Sequence, residues 1–177
     1  MSRPEGEIEP ATQIPDPARS IRAAAEKQEN VMPTNIFVNL PTADLPKAKE
    51  FYAALGAEIV PEFTDDNAAC VKWDDNVFFM VLTKEYFGTF TDKAVVDPAG
   101  AAQVITALSR ESREDVDAIR QRVLDAGGSE HKDPQDYGFM YSVSLADPDG
   151  NIIEFLWMDP VAAEKGPEAF MAESSGA

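Results

Sequence analysis

One order of elements occurs twice along this chain of 177 residues. In the first copy, residues 35–40 (NIFVNL) read as a strand closed by Pro41. Asp44 stands where a helix N-cap belongs, and Leu45, Ala48, Phe51, Tyr52 and Leu55 recur at helical spacing up to Gly56. Three short strands follow at 57–63, 68–73 and 76–83, the last two joined by Asp74-Asp75. The second copy begins with a strand at 102–109. Ser112 is placed to cap a helix whose apolar stripe is Val116, Ile119, Val123 and Leu124, ending at Gly127-Gly128. Strands are expected near Ser129, at 139–145 and at 151–158. The copies overlay at about 71 to 75 residues, Gly56 on Gly127 and Asn76 on Asn151, with two extra residues in the last turn of the second. Each copy is too small to bury a good core alone. The expected fold is therefore α+β, two βαβββ modules in tandem sharing one domain.

The domain should span 34–160, with modules at about 34–95 and 101–160. Residues 1–33 hold Pro4, Pro10, Pro15, Pro17 and Pro33 and scarcely any large apolar side chain, so a disordered or weakly structured extension is expected there, with at most a loose helix at 20–30. The tail, 161–177, is similarly weak, although Phe170 and Met171 could dock. The long connection KEYFGTFTDKAVVDPAG, 84–100, exceeds usual loop lengths and carries Tyr86, Phe87 and Phe90, which could serve a functional or dimer contact.

Charge narrows the partners. The formal net charge is −17, and residues 1–33 contribute only four basic and six acidic side chains to it. The acidity thus belongs to the folded part, which argues against nucleic acid and anionic membrane as partners. No apolar run reaches membrane-span length, and the first residues lack a signal-peptide h-region. Cys70 is the single cysteine, so neither a disulfide framework nor a CxxC metal site is available. A cytoplasmic protein with a buried structural thiol is expected.

The stretch DPDGNIIEF, 147–155, poses the functional question: a tight turn opens into an apolar strand that contains a carboxylate, Glu154. An apolar setting disfavours such a charge unless something pairs with it.

Together with NIFVNLPTADLPKAKEFYAALGAE, REDVDAIRQRVLDAGG and YSVSLADPDGNIIEFLWMDP, this stretch resembles the vicinal oxygen chelate superfamily. That superfamily includes glyoxalase I, bleomycin-resistance proteins and extradiol dioxygenases. PQDYGFMY and FMVLT are similar to a bacterial subgroup labelled only glyoxalase-like. The resemblance covers about 34–160 and implies curved mixed sheets around a central cleft. It also implies homodimers with clefts between subunits. In the family's metal enzymes, four ligands come from the first and fourth strands of each module, and the ion stabilises an enolate.

On those positions this chain carries Glu154, then Phe79 by the overlay, Phe37, and Ile105 or Thr106. Only Glu154 is a competent ligand. Asn39 shares a strand face with Phe37, and His131, the sole histidine, lies in a polar segment. No cofactor is therefore expected; a weak divalent-ion site on Glu154 and waters is the alternative. The expected function is binding of a small organic molecule, planar or cationic, in a cleft lined by Phe37, Asn39, Phe79 and Tyr141, with Glu154 orienting the ligand or moving a proton. Tyr137 and Gly138 could border its mouth. Two enzyme readings stand beside it. One is a metal-dependent lyase of lactoylglutathione-lyase type, or a dioxygenase, with a nonstandard site. The other is a metal-free enzyme using Glu154 as acid or base.

Overall fold

The structure, a computed structural model, describes residues 33–175; the expected N-terminal helix lies outside them. The first module runs β1 (Ile36–Thr42), α1 (Leu45–Ala54), β2 (Glu58–Val60), β3 (Ala68–Asp74) and β4 (Val77–Thr83). The second runs β5 (Ile105–Ser109), α3 (Arg113–Asp125), β6 (Ser129–Asp136), β7 (Met140–Ala146) and β8 (Ile152–Met158). Each makes a four-stranded mixed sheet, ordered β1-β4-β3-β2 and β5-β8-β7-β6. The first strand of each module pairs in parallel with the fourth, and the other neighbours are antiparallel. This is the tandem α+β architecture expected from the repeat.

Local chemistry sets the element ends. Asp44 accepts from Lys47 N at 3.0 Å and Ser112 accepts from Asp115 N at 3.0 Å, so both helices begin on a side-chain cap. The strand expected at 57–63 is shorter than its sequence suggests: after Val60 the chain turns into a 3-10 segment, Pro61–Phe63. Pro61 has no N–H to give to a sheet ladder. The long connection contains α2 (Lys84–Gly88), capped by Thr83. The tail forms α4 (Pro160–Lys165) and α5 (Pro167–Ser175), and the Phe170 ring lies 6.4 Å from that of Phe139.

One core joins the modules. Phe51 and Tyr52 of α1, Val116, Ile119 and Val123 of α3, Phe79 and Val81 of β4, and Ile153 and Phe155 of β8 all belong to it. The Trp73 ring of β3 contacts Phe79 at 5.6 Å and Phe155 at 5.9 Å, crossing from one module to the other. By the period-2 alternation of strands, the same residues leave a second face on each sheet turned away from the helices. On the first sheet that face carries Phe37, Asn39, Phe78 and Met80; on the second it carries Ile105, Ala107, Glu154 and Leu156.

Register corrects the overlay of the two copies. Leu40 precedes the cap Asp44 as Leu108 precedes the cap Ser112. Leu40 pairs with Val81 and Leu108 with Phe155, which makes Met80, and not Phe79, the counterpart of Glu154. Between the pairs Lys72–Phe78 and Ala146–Ile152 the two turns are equally long, so the second has no extra residues. The longer second copy owes its length to α3, with 13 residues against 10 in α1, and to β6, with 8 against 3 in β2. Matching Asn76 to Asn151 slips the strand by one residue, and such a slip exchanges the faces of every side chain.

Candidate functional site

The DPDG turn is where the second module grips the first. Asp147 is 4% exposed; its carboxylate accepts from the Tyr52 hydroxyl at 2.8 Å and from Asn151 Nδ2 at 2.9 Å. Asn151 Nδ2 also donates to the Pro41 carbonyl at 3.1 Å. Asp149 accepts from Thr42 Oγ1 at 2.6 Å and from Ala43 N at 2.8 Å, at the end of β1. Burial pushes the Asp147 carboxyl above the usual carboxylate range, against the pull of its Asn151 and Tyr52 donors. Burial, together with the Asp147 charge, raises the Tyr52 phenol well above its ordinary value. The turn motif is thus a clamp between modules. None of these contacts was read from the sequence, because Tyr52 looked like one more apolar member of the α1 stripe.

Glu154 stands away from that clamp, half-buried on the open face of the second sheet. Its neighbours across the strands are Ala107 and Ser144. Among the described residues its carboxylate has no hydrogen-bond or ion-pair partner, and the Ser144 Oγ beside it is buried without a partner.

The other expected site residues divide between faces. Phe37, 53% exposed, stacks on Phe78 at 5.0 Å and 16°, and Asn39 follows it on the same open face. Phe79 does not reach a cleft: it is 0% exposed, packed edge-on against Tyr52 and Trp73 beneath α1. Tyr141 also lies on the helix side, where its hydroxyl donates to Asp117 of α3 at 2.8 Å and Arg113 covers its ring. The misplacement of Phe79 follows from the one-residue slip; that of Tyr141 follows from its parity with Val143 on β7, a core position. Thr106 shares the core face through its pairing with Ile153, which leaves Ile105, 52% exposed, on the open side.

A cavity of about 350 Å³ opens on the free face of the first sheet. Asn39, Met80 and Leu82 form its floor, and Phe63, Tyr86 and Phe90 its aromatic walls. Tyr86 and Phe90 meet edge-on at 5.2 Å. Glu62 and Asp65 also line it, and among the described residues no Lys or Arg does. Phe63 comes from the 3-10 segment after β2, and the other two rings from α2 and the loop after it. The aromatic content of 84–100 is the sequence signal for those two; nothing in the sequence marks Phe63, whose segment reads as the end of a strand.

The metal site implied by the family does not fit this chain. Its four positions are occupied by Phe37, Met80, Ile105 and Glu154, one oxygen donor against three side chains that offer none except a thioether. Among the described residues, no group of three His, Cys, Asp or Glu comes together as an ion site. His131 is exposed on β6 and borders a separate recess of about 540 Å³ beside Asp147 and the inter-module linker.

The model of the Glyoxalase/Bleomycin resistance protein/Dioxygenase superfamily matches residues 36–155. The chain belongs to this superfamily. Solved structures of similar fold include a hypothetical protein from S. aureus, at TM-score 0.60 and 23% identity, covering 73% of this chain and 98% of that one. A glyoxalase-related enzyme from Fulvimarina pelagi aligns at TM-score 0.61 and 20% identity, over 74% of this chain and 91% of its own. The bleomycin resistance determinant encoded on transposon Tn5 aligns at TM-score 0.52 and 19% identity, over 71% of this chain and 98% of its own. At such identities the likeness concerns the fold. No curated protein matches the sequence significantly. Among the described residues, no helix is long and apolar enough to cross a membrane.

Proposed function

We propose that this chain binds a small organic molecule on its open sheet faces and holds no catalytic divalent ion. The carrying observation is the cavity over β1 and β4, where three aromatic side chains and Met80 converge above the Asn39 amide. Rings of this kind give area and stacking, and the lone amide gives orientation. Glu62 and Asp65 at the same cavity, in a chain of net charge −17, favour a neutral or cationic ligand over an anion.

The exposed Phe37 and Ile105 on the two open faces are surfaces that a second copy would cover, in keeping with the homodimers the family often forms. Such a dimer in the cytoplasm is the working assembly.

A second reading, metal-free acid–base chemistry, is favoured by one observation. Among the described residues, Glu154 is unpartnered on the open face beside the unpartnered Ser144 hydroxyl, which leaves its carboxylate available to a bound molecule.

The test is a calorimetric screen of planar aromatic and cationic molecules against the native chain, Phe90→Ala and Glu154→Gln. Binding that weakens about tenfold or more in Phe90→Ala supports the cavity; hits indifferent to Phe90, or none, sink it. Turnover lost only in Glu154→Gln would establish the second reading. Chelator-washed protein re-exposed to Ni²⁺, Zn²⁺, Mn²⁺ and Fe²⁺ is expected to take up no stoichiometric ion. Uptake abolished by Glu154→Ala would put a lyase or dioxygenase first.

A further inference from the structure

The internal repeat has an asymmetry that exposes a second recess. In the second module, Asp149 of the β7–β8 turn fills the space at the end of β1, bonding Thr42 Oγ1 and Ala43 N. The register relates Thr42 to Arg110, Ala43 to Glu111 and Asp149 to Asp75. Asp75 does not make the equivalent contact, because its carboxylate turns out to Lys72 Nζ at 3.0 Å. Where a carboxylate would have docked, a cavity of about 570 Å³ remains, bordered by Arg110, Arg122, Asp74, Glu111 and Asp115. Leu55 and Ile119 supply an apolar floor.

The two arginines are short of partners. Among the described residues, Arg110 donates only to the carbonyl of its neighbour Ser109, at 2.7 Å, while its guanidinium lies over the rings of Trp73 at 5.5 Å and Phe155 at 4.7 Å. Among the same residues, Arg122 reaches only the Leu55 carbonyl, at 3.5 Å. Among the described residues neither forms an ion pair, in a chain with 32 acidic and 15 basic side chains. Burial lowers the Arg110 pKa against the pull of Asp115, and the charge of Arg122 adds to the lowering. Guanidinium pairs of this kind suit a carboxylate held by several N–H donors.

A bare anion would nevertheless face three carboxylates at the same cavity. Asp115 is engaged by the Ser112 hydroxyl at 2.8 Å, and Asp74 accepts from Asp75 N at 2.7 Å, yet both keep free acceptor capacity. A ligand with a carboxylate and an ammonium group close together satisfies both halves of this lining, and a free phosphate satisfies one. We infer that the cavity between the β3–β4 turn and the β5–α3 loop is a binding site for a zwitterionic α-amino acid with an aliphatic side chain. Its carboxylate is held by Arg110 and Arg122, its ammonium by Asp74 and Asp115, and its side chain rests on Leu55 and Ile119. The site is separate from the aromatic cavity on the first sheet and does not depend on it.

Trp73 makes the site observable. The chain has two tryptophans, and Trp157→Phe leaves Trp73, under Arg110, as the sole tryptophan, excited selectively at the red edge of indole absorption. That variant is titrated with L-leucine, L-valine and L-methionine, each followed by Trp73 emission and by calorimetry. At least one is expected to bind saturably. The corresponding amide, which lacks the carboxylate, and the corresponding carboxylic acid, which lacks the amine, should each bind about tenfold or more weakly. Arg122→Gln should cause a similar loss without moving the thermal midpoint, since Arg122 is exposed; it carries the test should Arg110→Gln fail to fold. No saturable binding of any of the three, or binding unchanged in Arg122→Gln, overturns the inference. Phosphate or the amine-free acid binding as tightly as the amino acid would also overturn it, in favour of a plain anion site.

Discussion

Two acidic residues seven positions apart, Asp147 and Glu154, have opposite fates. Asp147 is buried and held by four donor groups, counting the backbone N–H of Asp149 at 3.0 Å and of Asn151 at 2.8 Å with the two side chains; Glu154 is half-buried and held by none among the described residues. The first is a structural charge and the second an available one. Tyr52→Phe tests the first. Removing the hydroxyl leaves a buried carboxylate short of a donor and is expected to cost about 1–3 kcal/mol, read from urea unfolding. Its pH dependence has a definite sign. The Asp147 pKa is raised in the folded state, so the native form binds more protons than the unfolded one above the ordinary carboxylate value. Stability from this group is therefore present at low pH and declines as pH rises through that window. Losing the Tyr52 hydrogen bond raises the pKa further, so the decline should be steeper in the variant.

At the scale of elements, hairpins are pinned to helices and to the linker. Arg113 of α3 holds the β6–β7 hairpin by a two-point contact to Asp136, at 2.6 and 2.9 Å, and by a bond to the Gly138 carbonyl. The hydrogen bond from Arg113 and that from Gly138 N lower the Asp136 pKa to about 2. This contribution is present above the ordinary carboxylate value and is lost as pH falls toward 2. In Arg113→Gln, carboxyl NMR should show Asp136 titrating higher, with a shallower loss of stability across that acid window. The Tyr137–Gly138 turn is thereby tied to α3.

Gly150 pins the other hairpin. Its φ is +98°, and a Cβ there would sit 2.8 Å from the Ala99 backbone N of the linker. Gly150→Ala combines a left-handed strain with a backbone clash and is expected to destabilise by more than about 1 kcal/mol. Faster hydrogen exchange in residues 97–102 would show that the linker had moved, and an unchanged linker would contradict the clash.

On the scale of the whole molecule, the modules spend their helix-side faces on one another and leave two open faces. Sedimentation is expected to report a dimer, with Phe37→Asp shifting it toward monomer; a native chain that sediments as a monomer would refute the covering of those faces by a second copy.

The sequence by itself determined the repeated βαβββ order, the helix caps at Asp44 and Ser112, the placement of Phe37 on an open face and the poverty of the metal positions. The first two rest on local chemistry and on a period read within one element, and the last two on the positions that the family resemblance implies. What the tertiary structure decided was pairing across elements. It made Met80 the counterpart of Glu154, buried Phe79, turned Tyr141 toward α3, brought Phe63 to the cavity that Phe90 lines, and joined Asp149 to Thr42. A strand's two faces differ by a single residue of register, and that register is fixed by which neighbour it packs on, information that no stretch of this chain carries alone.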